Sequence, residues 1–395
     1  MTDYFARSLI IHEQLKGKLG THSKMPIKST DDLSIAYTPG VARPCEAIAA
    51  DPSLARTLTL KNNAVAVVSD GSAVLGLGNI GPHAAIPVME GKAVLFREFA
   101  AIDAWPICVD TQDADEIVSF VRNLAPVFGG INLEDISAPR CFEIEERLQD
   151  LGIPVFHDDQ HGTAIVLLAA LLNAAKVVGR EPTDLRVVIN GAGAAGTAIA
   201  RLLRCVGHDP NMCQPVKDVV VCDSRGAIHA DRDNLSPEKQ ALLAYTNREN
   251  KTGTLDEVVR DADVFIGVSK GNLLKPEHVK SMAADPIILA MANPVPEIMP
   301  DVAKAAGAAV IGTGRSDFPN QVNNVLAFPG IFRGALDSQA AQITAEMKLA
   351  AAKALAGCVD NPTAEKILPG PLDKTVAPRV AAAICKHELG QDASN

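Results

Sequence analysis

The 395-residue sequence has no dense run of lysine or arginine, and its formal net charge is −10 with a pI near 5.4. Because affinity for nucleic-acid phosphates depends on clustered basic side chains, we expect no nucleic-acid partner. The sequence also lacks the run of about 18 apolar residues that a membrane helix needs, so we expect no membrane insertion. Its start, MTDYFARSLIIHEQL, has no cationic stretch followed by an apolar run and a cleavage site, which predicts a cytoplasmic protein.

The eight cysteines include no Cys-x-x-Cys pair and no spacing typical of a zinc site. Since cytosolic proteins keep their thiols reduced, we expect free thiols that serve mostly as small core residues. These cysteines are Cys45, Cys108, Cys141, Cys205, Cys213, Cys222, Cys358 and Cys385. A hydrophobic content of 47% over 395 residues is enough for a sizeable core and for two domains.

Short apolar runs that are typical of buried strands alternate with helical patterns along most of the chain. The predicted strands form a first series at 64–69, 105–109, 130–133 and 153–156, and a second at 185–190, 219–222, 264–267, 287–290 and 309–312. This alternation indicates two α/β units with parallel sheets, joined by a helix predicted at 163–178. We therefore expect a two-domain α/β protein, with an N-terminal domain at 1–160 and a C-terminal domain with a helical tail at 161–395.

A Gly-x-Gly-x-x-Gly pattern follows the strand predicted at 185–190 and opens a helical stretch. In that setting the glycines permit a tight turn and the first N–H groups of the helix meet a pyrophosphate, which predicts a Rossmann-type dinucleotide site. The candidate residues are Gly191, Ala192, Gly193, Ala194, Ala195 and Gly196. A glycine-rich turn without a ligand remains the alternative.

Asp223 ends the next predicted strand and is the candidate acceptor for the adenine ribose hydroxyls. It lies farther from the first glycine than the usual spacing of about 20 residues, and an insertion at 208–218 accounts for the excess. An acid at this place favours NAD, whereas Ser224 and Arg225 directly after it could hold the 2′-phosphate of NADP. The sequence leaves the choice between NAD and NADP open.

Two acidic doublets, Glu134-Asp135 and Asp158-Asp159, follow two predicted strands of the first series. Since the ligand crevice of an open α/β sheet lies at the carboxyl ends of its strands, we expect these acids to converge. Carboxylate oxygens suit a hard divalent cation such as Mg²⁺ or Mn²⁺. Helix capping by Asp135 and Asp158, with the other two acids solvated, remains the alternative.

Candidates for acid and base chemistry lie nearer the N-terminus. Tyr37 precedes a Pro-Gly turn that would present its phenol to a cleft, although a lone tyrosine is more often a packing residue. Lys92 lies in a largely apolar helical run, where its amine either reaches solvent or has a lowered pKa and acts as a base. His157 and His161 flank the second acidic doublet in a predicted loop, and we interpret them as supporting residues rather than metal ligands.

The segment 69–81 is predicted to form a strand, a turn, a second strand and a Gly-rich loop. The backbone amides of such a loop could meet a phosphate or a carboxylate, and a simple hairpin with a tight loop is the alternative.

These motifs resemble, in content and in order, those of the malic enzyme family in its shorter prokaryotic form. The resemblance covers almost the whole chain. The motifs are YTPGVA from Tyr37, SDGSAVLGLGNIG from Ser69, PVMEGKAVLF from Pro87, INLEDI from Ile131, FHDDQHGTA from Phe156, GAGAAG from Gly191, ANPVPE from Ala292 and GRSDFPNQVNNVLAFPG from Gly314.

The resemblance implies a metal-dependent homodimer that converts malate to pyruvate and carbon dioxide with NAD or NADP, through oxaloacetate and enolpyruvate. By this similarity Tyr37 is the proton donor to the enolate and Lys92 is the base for the malate hydroxyl. The implied ligands of Mg²⁺ or Mn²⁺ are Glu134, Asp135 and Asp159, with Asp158 in support. Asn293 is the implied contact of both cofactor and substrate, and Asn324 is an implied contact of the substrate.

One position departs from the family pattern. Larger members carry an arginine in the DG-x-x-x-LGLG segment that binds a substrate carboxylate, and Ala73 takes its place here. Carboxylate recognition must therefore differ, through the amides of the Gly-rich loop or through another residue. Two further functions stay open: a malolactic-type enzyme that returns the hydride to form lactate, and an inactive protein that only senses the nucleotide.

Overall fold

The computed structural model describes residues 4–74 and 77–392, and it contains two sheets. The first sheet has four parallel strands in the order β2-β1-β3-β4. Its strands are β1 (Ala64–Ser69), β2 (Asp103–Cys108), β3 (Gly130–Leu133) and β4 (Val155–His157). All residues of β1 and β3 are buried, because helices cover both faces of this sheet.

The chain before β4 also forms seven helices among its described residues. They are α1 (Tyr4–Leu15), α2 (Thr30–Ala36), α3 (Ala42–Ala50), α4 (Ala55–Leu58), α5 (Gly81–Ala100), α6 (Ala114–Leu124) and α7 (Arg140–Arg147). In contrast to the sheet, no residue from 4 to 63 is buried. Residues 4–63 therefore lie outside the core.

The second sheet has the strand order β10-β9-β8-β5-β6-β7, and only the short β7 runs antiparallel to its neighbour. Its strands are β5 (Arg186–Asn190), β6 (Asp218–Asp223), β7 (Gly226–Ala227), β8 (Val264–Gly267), β9 (Ile287–Ala290) and β10 (Val310–Thr313). Counted from β5, this is the order 3-2-1-4-5-6 of a Rossmann sheet. The predicted fold class, two α/β units with the dinucleotide-binding unit second, is confirmed.

Among the described residues from 158 to 392, nine helices accompany the second sheet. They are α8 (Asp158–Val177), α9 (Ala194–Leu203), α10 (Pro237–Leu242), α11 (Leu255–Val258), α12 (Pro276–Ser281), α13 (Pro300–Ala305), α14 (Phe328–Asp337), α15 (Ala345–Ala356) and α16 (Val376–Asp392). Helix α8 lies between the two sheets, and one continuous apolar core extends from β1 across α8 to β5.

Helix α8 starts earlier than predicted. The sequence places its start near residue 163, but the helix begins at Asp158, directly after β4. His157 therefore ends β4 and His161 lies in the first turn of α8, so the prediction that both lie in a loop is wrong. Helix α8 is also the one described helix that is long and apolar enough to cross a membrane, yet 72% of the relevant window is buried inside the protein, as in a core helix.

The helical tail packs back across the N-terminal sheet. Phe328 and Phe332 of α14 contact Phe96 of α5, with ring centroids 4.7 and 5.3 Å apart, and Phe332 also meets Phe156 at 5.9 Å. The tail thereby brings the motif that precedes it, with Asn324, close to β4 and the start of α8.

The prediction of eight free thiols is wrong for two cysteines. Cys205, just after α9, forms a disulfide with Cys213 across a separation of eight residues. The insertion that follows α9 turns back on itself and brings the Cα atoms of the two cysteines within 5.7 Å of each other. No pattern in the sequence predicts this proximity. The other cysteines are free.

Candidate active site

The two acidic doublets meet at one edge of the N-terminal sheet. Glu134 and Asp135 follow β3, while Asp158 and Asp159 open α8 directly after the neighbouring β4. One oxygen atom from each of Glu134, Asp135 and Asp159 lies within 4.8 Å of the others. Three carboxylates at this spacing are a suitable donor set for a divalent cation with a preference for oxygen, such as Mg²⁺ or Mn²⁺.

Asp135 is held in an unusual backbone conformation. Its φ angle is 54°, in the left-handed region that non-glycine residues seldom occupy. Two hydrogen bonds fix it there: its N–H donates to Asp159 Oδ2 at 2.8 Å, and its carbonyl accepts from the N–H of Ala73 at 2.9 Å. Asp135 therefore does not act as the helix cap that the sequence left open, and its backbone links the Gly-rich segment to the second doublet.

Lys92 lies inside this acidic group, with 7% of its side chain exposed. Its Nζ donates to Asp158 Oδ2 at 2.6 Å and lies 2.8 Å from Glu134 Oε1. The same Nζ lies 4.2 Å from the ring centre of Phe328, a cation–π distance. Lys92 thus does not reach solvent, which removes one of the two alternatives that the sequence left open.

The second alternative, a lowered pKa, does not hold either in this state of the site. Burial alone would lower the pKa of Lys92, but the carboxylates of Asp158, Glu134 and Asp159 outweigh burial and raise it. Burial in turn raises the pKa of Asp158 to about 7, although Lys92 and Asn324 lower it. Four carboxylates around one ammonium carry an excess of negative charge in a buried site, which is the environment that a divalent cation would neutralise.

A second group of buried polar residues forms hydrogen bonds at the start of α8. Glu145 of α7 accepts hydrogen bonds from the backbone N–H of His157 at 3.2 Å and contacts His161 Nε2 at 3.0 Å. Burial would raise the pKa of Glu145, but His161 outweighs it and the pKa falls to about 2. His161 is therefore engaged by Glu145 rather than by the three clustered carboxylates, which agrees with a supporting role.

The glycine turn lies where β5 ends and α9 begins. Gly191 has a φ of 134°, and a Cβ there would lie 2.6 Å from the carbonyl oxygen of Val268. A Cβ on Gly196 would lie 1.8 Å from the carbonyl oxygen of Gly191, whereas a Cβ on Gly193 would meet no atom within 4 Å. The first and last glycines are thus required by packing, and the middle one leaves open space above the first N–H groups of α9, which fits a pyrophosphate.

Asp223 ends β6 as predicted, but other residues already bind its carboxylate. Arg232 Nη2 donates to both Asp223 oxygens at 2.7 Å, and Lys239 Nζ donates to Oδ2 at 2.6 Å. The side chain of Asp223 is only 9% exposed. The acid expected to receive the ribose hydroxyls is therefore surrounded by two cations that the sequence analysis did not identify.

The remaining candidates lie in different surroundings. Asn293 follows β9, and its Nδ2 would meet a Cβ on Gly314 at 2.7 Å, so the loops after β9 and β10 pack together. Asn324 lies beside Asp158 and Gly162. Tyr37, by contrast, is 69% exposed, and within residues 4–74 and 77–392 only its backbone forms hydrogen bonds.

Several residues at the site carry no sequence signal that we used. Asn132 donates to Glu134 Oε2 at 2.7 Å, and Phe328 covers Lys92. Asn132 of β3 lies two residues before Glu134, so the period of two of a strand places both on one face and could have identified it. Phe328 lies more than 200 residues from Lys92, and nothing local in the sequence connects them.

A Rossmann sheet with an open glycine turn, joined through one buried helix to a lysine among clustered carboxylates, is the arrangement of a dinucleotide-linked oxidoreductase. Comparison with known proteins narrows this class. Residues 16–149 match the family model "Malic enzyme, N-terminal domain" and residues 160–389 match "Malic enzyme, NAD binding domain". The chain belongs to the malic enzyme family.

Individual relatives are similar over nearly the full length. The chain is 57% identical to the bifunctional malic/malolactic enzyme of Bacillus subtilis, covering 97% of this chain and 92% of that one. It is 56% identical to the NAD-dependent malic enzyme of Geobacillus stearothermophilus, covering 96% and 77%. Among solved structures, the NAD-dependent malic enzyme of Thermotoga maritima is 47% identical with a TM-score of 0.91, covering 98% of this chain and 99% of that one.

Proposed function

We propose that this protein is a malic enzyme that oxidises (S)-malate and decarboxylates the product to pyruvate, with NAD or NADP as hydride acceptor. The observation that carries this proposal is the contact of Lys92 Nζ with Asp158 and Glu134 beside the three clustered carboxylates. A base and a cation site side by side suit the oxidation of a hydroxyl that is flanked by a carboxylate.

The proposed mechanism assigns one task to each group. A divalent cation held by Glu134, Asp135 and Asp159 would polarise the hydroxyl and carbonyl oxygens of the substrate and offset the negative charge that keeps Lys92 protonated. Lys92 Nζ takes the C2 hydroxyl proton as hydride leaves C2 for the nicotinamide. Loss of the C4 carboxylate from the resulting oxaloacetate leaves enolpyruvate, and the Tyr37 phenol gives its proton to C3 to form pyruvate.

The exposure of Tyr37 bears on this assignment. We propose that the protein is a homodimer in which Tyr37 enters the site of the partner subunit. Of the 24 exposed large hydrophobic residues in the described part of the chain, 14 lie between Tyr4 and Leu60, and no residue in that stretch is buried. A cleft of about 1130 Å³ that is lined by residues 19–25, 57–60 and 62–63, by residues of α5 and by the edge strand β2 adjoins the same surface. Exposed apolar surface of this extent is typical of an interface.

The direct test is an assay of malate with Mg²⁺ or Mn²⁺ and with NAD or NADP in parallel. We expect equal amounts of pyruvate, carbon dioxide and free reduced cofactor, the last followed at 340 nm. The name of the Bacillus subtilis relative makes malolactic activity the second candidate. Lactate without free reduced cofactor would support that candidate, and no turnover with either cofactor would favour a nucleotide-sensing protein.

Cofactor preference depends on the cations around Asp223. We propose that both NAD and NADP bind, because Arg232 and Lys239 offset the charge of Asp223 and reduce its repulsion of a 2′-phosphate. Replacing Lys239 by glutamine should lower kcat/KM with NADP by roughly 10- to 100-fold, the loss expected for one charged hydrogen bond. The value with NAD should change little.

The control is Lys217→Gln, which removes an exposed lysine of the same domain. Steady-state measurement of kcat/KM with NAD and with NADP, in both variants, tests this prediction. Equal losses with NAD and NADP in the Lys239 variant would show that Lys239 only holds Asp223 in place.

The division of the chain at residue 160 stays a prediction, as does the cytoplasmic location. We propose that the boundary lies at the start of α8, because Asp158 and Asp159 still belong to the acidic group while the rest of α8 packs between the two sheets.

A further inference from the structure

Arg140, the first residue of α7, ties together the two loops that flank the acidic group. Its Nη2 donates to Asp70 Oδ2 at 2.8 Å, to Ser72 Oγ at 3.0 Å and to Ser137 Oγ at 3.3 Å. The N–H of Ser137 also donates to Ser72 Oγ at 2.9 Å. The guanidinium therefore touches both the start of the Gly-rich segment and the loop that follows Asp135.

The position of this guanidinium relative to the cation site follows from the backbone. Ala73, the neighbour of Ser72, donates its N–H to the carbonyl of Asp135 at 2.9 Å. Arg140 thus hydrogen-bonds to Ser72, and the next residue, Ala73, contacts the candidate metal ligand Asp135. Its side chain remains 26% exposed, so a solute can reach it.

Charge balance indicates what such a group could do. The substrate of the proposed function carries two carboxylates, and the acidic group, in which Glu134, Asp135 and Asp158 are buried, adds further carboxylates beside them. Among the residues from 4–74 and 77–392, the cations that hydrogen-bond to residues 69–74 or 134–137 are Lys92 and Arg140. Lys92 is already committed to Glu134 and Asp158, which leaves Arg140 to meet a second carboxylate.

The hydrogen bonds of Arg140 leave some N–H donors of its guanidinium group unused. A guanidinium has five N–H donors, and the three contacts above all involve Nη2. Its Nε is buried and has no hydrogen-bond partner. Asp70, which is completely buried, holds Nη2 and so fixes the orientation of the plane. Its Nη1, which makes none of these contacts, is left to donate to a carboxylate from a guanidinium whose plane is fixed.

We propose that Arg140 is the specificity-determining residue that binds the substrate carboxylate remote from the cation. This inference rests on the proposed function, because it takes a dicarboxylate as the substrate. It also names a side chain that can bind a substrate carboxylate, which Ala73 cannot do. Asp70, Ser72 and Ser137 act as positioning residues for Arg140.

The test compares two ligands that differ only by the second carboxylate, D-malate and D-lactate, bound to the protein with Mn²⁺ and measured by calorimetry. The double variant Asp70→Asn, Arg140→Gln removes both charges of the pair and leaves no buried charge unpaired. We expect its Kd for D-malate to rise roughly 10- to 100-fold, the effect of one charged hydrogen-bond pair. Its Kd for D-lactate should stay within about threefold of the wild-type value.

Steady-state kinetics extend the test to turnover. In the double variant and in Arg140→Lys, the KM for (S)-malate should rise much more than kcat falls, and the KM for NAD should not change. Arg147→Gln is the matched control, since Arg147 ends the same helix and pairs with Asp115 and Glu143 at the surface. This control should behave as wild type in every assay.

The outcomes separate the two proposals. Wild-type protein that fails to turn over malate contradicts the proposed function, whatever the variants do. Wild-type turnover with equal weakening of D-malate and D-lactate in the double variant shows that Arg140 only clamps the two loops and overturns the inference. A selective loss of D-malate, with thermal unfolding unchanged in Arg140→Lys, supports it.

Discussion

Replacing Asp159 by asparagine is expected to abolish metal-dependent turnover of malate while leaving NAD binding intact. One oxygen of Asp159 belongs to the cluster with Glu134 and Asp135. Losing a group that merely orients a metal ligand lowers metal affinity by about 10- to 100-fold, and loss of a charged ligand should cost more. Mn²⁺ affinity, followed by electron paramagnetic resonance of the free ion, should fall together with kcat/KM.

The variant also changes the loop that carries Asp135. Asp159 Oδ2 accepts the N–H of Asp135, whose φ of 54° depends on its surroundings. An asparagine can still accept that hydrogen bond through its amide oxygen, so the loop should keep its conformation. The expected loss is therefore one of charge at the cation site, and NAD titration by fluorescence should give the wild-type Kd, because the glycine turn lies on the other sheet.

A matched control is Asp150→Asn, which neutralises an aspartate that is 72% exposed. It should keep wild-type metal affinity and rate. Wild-type activity in the Asp159 variant would remove this residue from the ligand set, and a simultaneous loss of NAD binding would point to misfolding instead.

The sequence was most informative where strands are buried on both faces. The bounds predicted for four strands, 64–69, 130–133, 264–267 and 287–290, agree with those of β1, β3, β8 and β9. Each of these is a mostly apolar run inside a parallel sheet, which is the pattern that such a sheet requires. The edge strand β2 is only half-buried, and its start was misplaced by two residues because polar Asp103 belongs to it.

The proximity of the two acidic doublets could be predicted from the sequence for a related reason. Parallel strands end at one edge of their sheet, so doublets after β3 and β4 had to lie near one another. In contrast, side chains from distant parts of the chain also contact residues at the site. The contacts of Phe328 with Lys92 and of Arg140 with Asp70 depend on how helices pack against the sheet, and no periodicity in the sequence encodes that packing.

Lys92 shows why a charge in an apolar run cannot be interpreted from the sequence alone. Burial and nearby carboxylates shift its pKa in opposite directions, and the outcome depends on how many acids lie within contact distance. The sequence indicated burial but did not reveal that Asp158 and Glu134 both contact Nζ.

Removing Lys92 or the hydroxyl of Tyr37 should block different steps of the reaction. With Lys92→Ala, malate oxidation should fall by about 10²- to 10⁴-fold, the usual contribution of a general base. With Tyr37→Phe, the hydride step should persist and the protonation of enolpyruvate should fail. Single-turnover formation of reduced cofactor measures the first step, and pyruvate release from added oxaloacetate measures the second.

Lys92→Ala leaves Asp158 and Glu134 buried without their cation, so its thermal unfolding has to be compared with that of the wild type. Tyr4→Phe is the control for the tyrosine, because Tyr4 is also an exposed tyrosine of the N-terminal stretch. Wild-type formation of reduced cofactor in Lys92→Ala would refute the role of Lys92, and wild-type pyruvate release from oxaloacetate in Tyr37→Phe would refute that of Tyr37.

Mixing the two inactive variants tests whether the partner subunit supplies Tyr37. If each site combines Lys92 of one subunit with Tyr37 of the other, a heterodimer of Lys92→Ala and Tyr37→Phe contains one intact site. Random exchange of subunits should then restore about a quarter of the active sites, since half of the dimers are mixed and each has one intact site. If a single chain supplied both residues, every site would keep one defect, and mixing would restore no activity.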